Sequence, residues 1–123
     1  MMRWWWSVTA FVALGAGCAG APPVPQQRFI DANADINAAQ EMGADKDPQA
    51  KTHLQQARDQ LESANNLNKG EPAVAERKLD NAQAEAQLAK SLARESATRA
   101  EAEEAKSRLS SAQKDLSGTG GAK

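Results

Sequence analysis

The sequence has a single cysteine, a single histidine and no tyrosine, and no aromatic side chain follows Phe29. One cysteine excludes an internal disulfide and any multi-cysteine metal site, leaving Cys18 as a free or modified thiol. His53, with no second histidine or cysteine to converge with it, excludes a zinc site of ordinary composition and reads as a solvated helix position. Charge of one sign is missing as well. With 15 basic and 16 acidic residues the formal net charge is -1, so no field exists to hold nucleic acid or to dock on anionic lipid. No glycine-rich loop follows a strand, and no serine sits in a nucleophile-elbow context. The carboxylates of Glu101, Glu103 and Glu104 fall in what reads as one continuous helix, which splays them around its axis without a ligating loop. They read as a solvated face rather than a calcium site or an acid–base pair. No cofactor is implied, and the chain is not expected to be an enzyme.

What is present begins at the N-terminus. Met1, Met2 and Arg3 precede an apolar stretch from Trp4 to Ala16 that only Ser7 and Thr9 interrupt, followed by small residues up to Cys18. A charged tip, a short apolar run and a small-residue end describe a cleavable secretory signal. A transmembrane anchor is the other reading of such a run, but the stretch is shorter than the ~20 residues a bilayer requires, and Gly15, Gly17 and Gly20 weaken its far end. Trp4, Trp5 and Trp6 would leave with the signal.

Leu14-Gly15-Ala16-Gly17-Cys18 resembles the lipobox of bacterial lipoproteins, with Gly15 where leucine is commonest. The resemblance implies transfer of a diacylglyceryl group to the Cys18 sulfur, cleavage between Gly17 and Cys18, and acylation of the freed amine. At about 0.8 kcal/mol per buried methylene, two or more acyl chains hold a protein firmly on a membrane. An aspartate after the lipidated cysteine favours the inner membrane in such proteins. Ala19 stands there instead, which points to an outer-membrane anchor facing the periplasm.

The remaining organisation follows from periodicity. Residues 18–27, with Pro22, Pro23 and Pro25, read as the lipid-bearing cysteine and an extended tether. Residues 28–116 read as an alanine-rich helical domain of three helices. The first runs from about Arg28 to Met42 with Phe29, Ala32, Ile36 and Ala39 on one face, and Gly43 ends it. Asp47 and Pro48 then offer an N-cap and a first helical residue. The second helix carries Ala50, Leu54, Ala57, Leu61, Ala64 and Leu67 at alternating steps, a coiled-coil-like seam that stops at Asn68. Gly70 suits a left-handed C-terminal cap and Pro72 opens a third helix, so the short connection predicts an antiparallel hairpin.

The third helix runs from Ala73 to about Leu116 without glycine or proline, about 65 Å, so only its first half can lie against the other two. Ala75, Leu79, Ala82, Ala86, Ala89 and Ala93 keep one phase, while Ala102, Ala105, Leu109, Ala112 and Leu116 keep another, with the change near Ser96 to Glu101. The overhang is expected either to fray beyond about Ala100 or to pack on another copy or another protein, helped by four-residue Glu–Arg spacings. Residues 117–123 read as a flexible tail.

The Leu54-x-x-Ala57-x-x-x-Leu61-x-x-Ala64 seam, the Gly70 turn, and the runs from Ala75 to Leu79 and Ala84 to Ala89 resemble the bacterial family known as domain of unknown function 4398, over Phe29 to about Leu109. That resemblance implies an envelope lipoprotein of unassigned molecular role. The expected function is a non-enzymatic, lipid-anchored periplasmic module that works by protein contact or as a structural spacer in the envelope, its partner an envelope protein or a second copy, with Leu54, Leu61, Leu79, Ala86 and Leu109 as the contact seam. The alternatives are an apolar-ligand or lipid carrier, and a spacer linked to peptidoglycan through Lys123, whose place at the end of the chain is similar to that of the linked lysine in some lipoproteins.

Overall fold

A computed structural model describes residues 20–119, which form three helices and no strand: α1 (Gln26–Glu41), α2 (Pro48–Leu67) and α3 (Pro72–Thr119). The all-α architecture expected from periodicity is what the chain adopts, with the long C-terminal helix packing against the other two. Cys18, Gly17, the rest of the segment read as a signal and Lys123 lie outside the described residues.

The helix boundaries have local causes. At the end of α1 the Ala44 N–H donates to the Ala39 carbonyl (3.1 Å) and the Gly43 N–H to the Gln40 carbonyl (2.9 Å), the two bonds of a Schellman motif. This motif needs a left-handed residue, and Gly43 supplies it at φ 88°. The hydrophobic contact that accompanies the motif is present too, since Ala39 and Ala44 are both fully buried in one cluster. At the start of α2 the Asp47 carboxylate accepts from the Ala50 N–H at 2.8 Å, and Pro48 occupies the first turn, where its missing N–H costs nothing.

Three boundaries differ from expectation, the last of them at the end of α3, which continues as helix past Ala100 and Leu116 to Thr119, so residues 117–119 belong to the helix and not to the tail. The first helix starts at Gln26, so Gln26 and Gln27 belong to the domain and not to the tether. Pro25 initiates it, its carbonyl accepting from the Arg28 N–H at 3.1 Å. Gly70 is not a left-handed cap, because Gly43 is the only glycine of positive φ among the described residues. The chain instead leaves α2 by a further right-handed turn through Asn68, in which the Leu67 carbonyl accepts from the N–H groups of both Gly70 (3.1 Å) and Glu71 (2.7 Å).

The core is thin and built mainly of alanine. One cluster joins Ile36, Ala39, Ala50, Leu54 and Ala57 to Ala86, Ala89 and Ala93. A second joins Val24, Phe29, Ala32 and Ala64 to Ala75 and Leu79, and Leu61 packs against both. Leu54 and Leu79 are the largest side chains that are fully buried. Alanine at the seams lets helix axes approach toward the lower end of the 8–10 Å range, so backbone and Cβ contacts replace large interlocking side chains. No polar or charged residue is buried among those described, which leaves the polar contacts at the edges of the interfaces.

Candidate functional site

Each helix pair is closed at its edge by one polar contact. Arg28 of α1 pairs with Asp80 of α3. Arg58 of α2 donates to Gln40 Oε1 of α1 at 2.7 Å. His53 Nδ1 lies 2.6 Å from Glu85 Oε2 across the α2–α3 interface. A carboxylate only accepts, so Nδ1 carries the proton in this contact. The solvated position expected for His53 is thereby corrected: its side chain is 29% exposed and fastens α2 to α3.

A fourth contact fixes the entry of the chain. The Asn68 side chain accepts from the Val24 N–H at 2.7 Å and donates to the Val24 carbonyl at 3.2 Å. Both backbone groups of Val24 are thus satisfied by one amide, as a strand neighbour would satisfy them, and the Val24 side chain is buried beside Phe29 and Leu79. The segment that enters α1 is therefore held at the α2–α3 turn, where α3 begins. The C-terminal end of α3 is about 70 Å away along the helix axis.

Beyond Ser96 the third helix stands alone, and every residue from Ala97 to Gly118 is exposed. The bundle has already nucleated the helix, so each further residue adds a backbone bond without a new nucleation cost. Ion pairs along the arm add a few tenths of a kcal/mol each: Arg99 with Glu95 at 2.6 Å, Lys106 with Glu103 at 3.0 Å and Arg108 with Glu104 at 2.5 Å. Leu109 and Leu116 are 62% and 77% exposed. At about 100° per residue, the Ala102, Ala105, Leu109, Ala112 and Leu116 stripe lies roughly 140° around the axis from the buried Ala75-to-Ala93 seam. The arm therefore does not prolong the packed face of the bundle. It presents a second face.

The expected contact seam divides accordingly. Leu54, Leu79 and Ala86 are buried in the chain's own core and Leu61 is half-buried there, so these four hold the bundle together and are not available to a partner. Leu109 alone of the five is exposed on the arm. Two further surfaces went unread in the sequence. An open groove of about 590 Å³ between α1 and α2 is lined by Phe29, Ile30, Ile36 and Leu61, with Arg58 and Glu62 beside them. The second is a stretch of α3 surface alone, where the arm leaves the bundle, that carries Ser91, Arg94, Glu95, Thr98 and Ala102. Among the described residues no group of three or more His, Cys, Asp or Glu side chains could hold a metal, and no helix is long and apolar enough to cross a membrane. Comparison with family models, with curated proteins and with solved structures gave no match for this chain.

Proposed function

We propose that this chain is a non-enzymatic interaction module of the bacterial envelope, anchored by lipid on Cys18 at the periplasmic face of the outer membrane, with the α3 arm as its contact surface. The observation that carries this reading is the arm itself: a continuous helix that leaves its bundle at Ser96 and keeps a Leu109–Leu116 stripe exposed. The attachment of Val24 to Asn68 adds direction, because it holds the anchored end of the chain at the far end of α3 from that stripe. The lipobox resemblance at Leu14 to Cys18 supports the anchor, and the likeness to domain of unknown function 4398 supports an envelope setting.

The anchor is tested by metabolic labelling with a palmitate analogue and membrane fractionation. Label on the wild-type chain in the outer-membrane fraction and none on Cys18→Ser is the expected result. Equal label on both chains would refute the lipid reading. The contact surface is tested by a photo-crosslinking residue at position 109, with position 33 on α1 as the comparison: protein adducts from 109 are expected to exceed those from 33.

A second reading, carriage of an apolar ligand, has the α1–α2 groove in its favour. A fluorescent fatty acid that binds the wild-type chain and is lost on Ile30→Asp would favour it over the first.

A further inference from the structure

The stripe on the arm is flanked on one side by Arg94, Glu101, Arg108 and Asp115, charges of alternating sign at seven-residue steps. Turned end for end, this row is complementary to itself: Arg94 meets Asp115, Glu101 meets Arg108, and the reverse. We propose that the occupant of the exposed α3 face is the same face of a second copy of this chain, running antiparallel. The proposal rests on the reading of the arm as a contact surface and names its partner.

Three observations support the second copy and this orientation. The first is the flank just described, which gives four opposite-sign contacts across a two-fold axis near residues 103 and 104. In a parallel pair the same flank would face Arg99, Lys106 and Gln113 instead, placing Arg94 beside Arg99 and leaving Glu101 with Lys106 as the one attractive match per side.

The second is size complementarity. In the antiparallel register Leu109 faces Thr98 of the second copy, Leu116 faces Ser91 of the second copy, and Ala102 faces Ala105 of the second copy. Each leucine thus meets a small side chain, the two central layers pair alanine with alanine, and Glu95, held by Arg99 of its own helix, lies opposite Ala112 of the second copy. Ser91 and Thr98, where those two leucines arrive, are both on the exposed surface of α3.

The third is access. α1 and α2 cover the Ala75-to-Ala93 side of α3, roughly 140° away, so a second α3 can pass behind each bundle without displacing it. On the other flank Arg99 and Lys106 of the two copies come together. Each is already held by a glutamate of its own helix, Glu95 and Glu103 respectively, which offsets their repulsion. Arg108 carries five N–H donors and can keep Glu104 while engaging Glu101 of the second copy.

The geometry makes an uncommon demand: the two N-terminal ends lie at opposite ends of the pair, roughly 95 Å apart. Two anchored copies would then lie along one membrane surface or join two surfaces.

The test uses the full chain carrying Cys18→Ser in mild detergent, with a spin label on Ser117→Cys or on Ser96→Cys. The expected distances between copies are roughly 40 Å for position 117 and roughly 25 Å for position 96. A parallel pair would give under about 15 Å at both positions and would overturn the proposal. Absence of any distance between copies at about 100 µM would overturn it as well.

Sedimentation of charge variants gives an independent readout. Glu101→Arg and Arg108→Glu should each weaken association about tenfold, and the double exchange should restore it. A double exchange as weak as the singles would overturn the pairing of these flanks. All these positions are exposed, so helical content of the variants serves as the folding control. Failure of self-pairing is distinguishable from failure of the contact reading itself. Crosslinks from position 109 to a different protein, with none to a second copy, would end the first and keep the second. No adducts above those of position 33 would end both.

Discussion

Asn68→Ala is expected to free the entry segment while leaving the bundle folded. The wild-type side chain makes two hydrogen bonds to Val24, at 2.7 Å and 3.2 Å, and each contributes about 0.5–1.5 kcal/mol net of hydration. Both groups are part-buried, so water regains some of the lost bonding when the segment lifts, and about 1.5–2.5 kcal/mol is the expected cost of the variant. At 1.4 kcal/mol per factor of ten, the Val24 amide should exchange with solvent about ten- to sixtyfold faster than in wild type. The melting temperature should fall by less than the 4–8 °C that a whole-domain loss of 1 kcal/mol gives at this size, because α1 stays in place from Gln26 onward. Asn68→Asp keeps the acceptor but sets a carboxylate oxygen against the Val24 carbonyl, so it should fall between the two. Asn65→Ala, an exposed position one turn earlier, is the control. Hydrogen exchange followed by mass spectrometry on the peptide covering residues 20–27 gives the readout. Equal exchange in wild type and Asn68→Ala would refute the idea that this amide holds the segment.

Leu54→Ala and Leu79→Ala should each cost about 2–5 kcal/mol in urea unfolding, since both side chains are fully buried, whereas Leu109→Ala should leave bundle stability within about 0.5 kcal/mol. Gly43→Ala and Gly70→Ala should have opposite signs. The first forces an alanine to φ 88° and costs about 1–2 kcal/mol, while the second, in right-handed backbone with nothing within 4 Å of a new Cβ, should stabilise by about 0.4–1 kcal/mol. Deletion of residues 98–123 should remove helical signal by circular dichroism yet shift the bundle's melting temperature by no more than about 2 °C, because the arm contributes nothing to either core cluster. A larger fall would mean that the arm supports the bundle.

What was legible in the sequence is what local chemistry encodes. Asp47 before Pro48, Gly43 after Met42 and the alternating steps from Ala50 to Ala64 are short-range signals, and the helices obey them. The change of phase between Ala93 and Ala102 was equally readable, and the side chains become exposed at that point. Contacts between distant residues were not readable. Val24 among three prolines looks like linker, and nothing near it in sequence announces Asn68, which reaches it across 44 positions. His53 and Glu85 stand 32 positions apart, so their meeting depends on the register of α2 against α3. Gly70 misled for the opposite reason. Glycine is the usual left-handed cap, yet a chain that re-enters a helix at Pro72 can turn without one. The contact seam misread was one of ownership. Periodicity marks apolar positions without saying whether the chain's own helices or a partner's will cover them, and here Leu54, Leu79 and Ala86 are covered within the chain.

The alanine seam and the exposed arm have one physical root. Small residues let α1 and α2 crowd onto one side of α3, which leaves the opposite side free behind the bundle as well as beyond it. The same small residues bury little apolar area per turn, so neither interface contributes much stability alone. An association made on the free side need not disturb the packed side, and ligation of the arm should order residues 97–119 while leaving the exchange of the Leu54 and Leu79 amides nearly unchanged. A partner seated in the α1–α2 groove would instead slow exchange in the bundle, because that groove is lined by residues of α1 and α2 and by none of the arm. Protection mapped residue by residue therefore separates the two surfaces with one measurement.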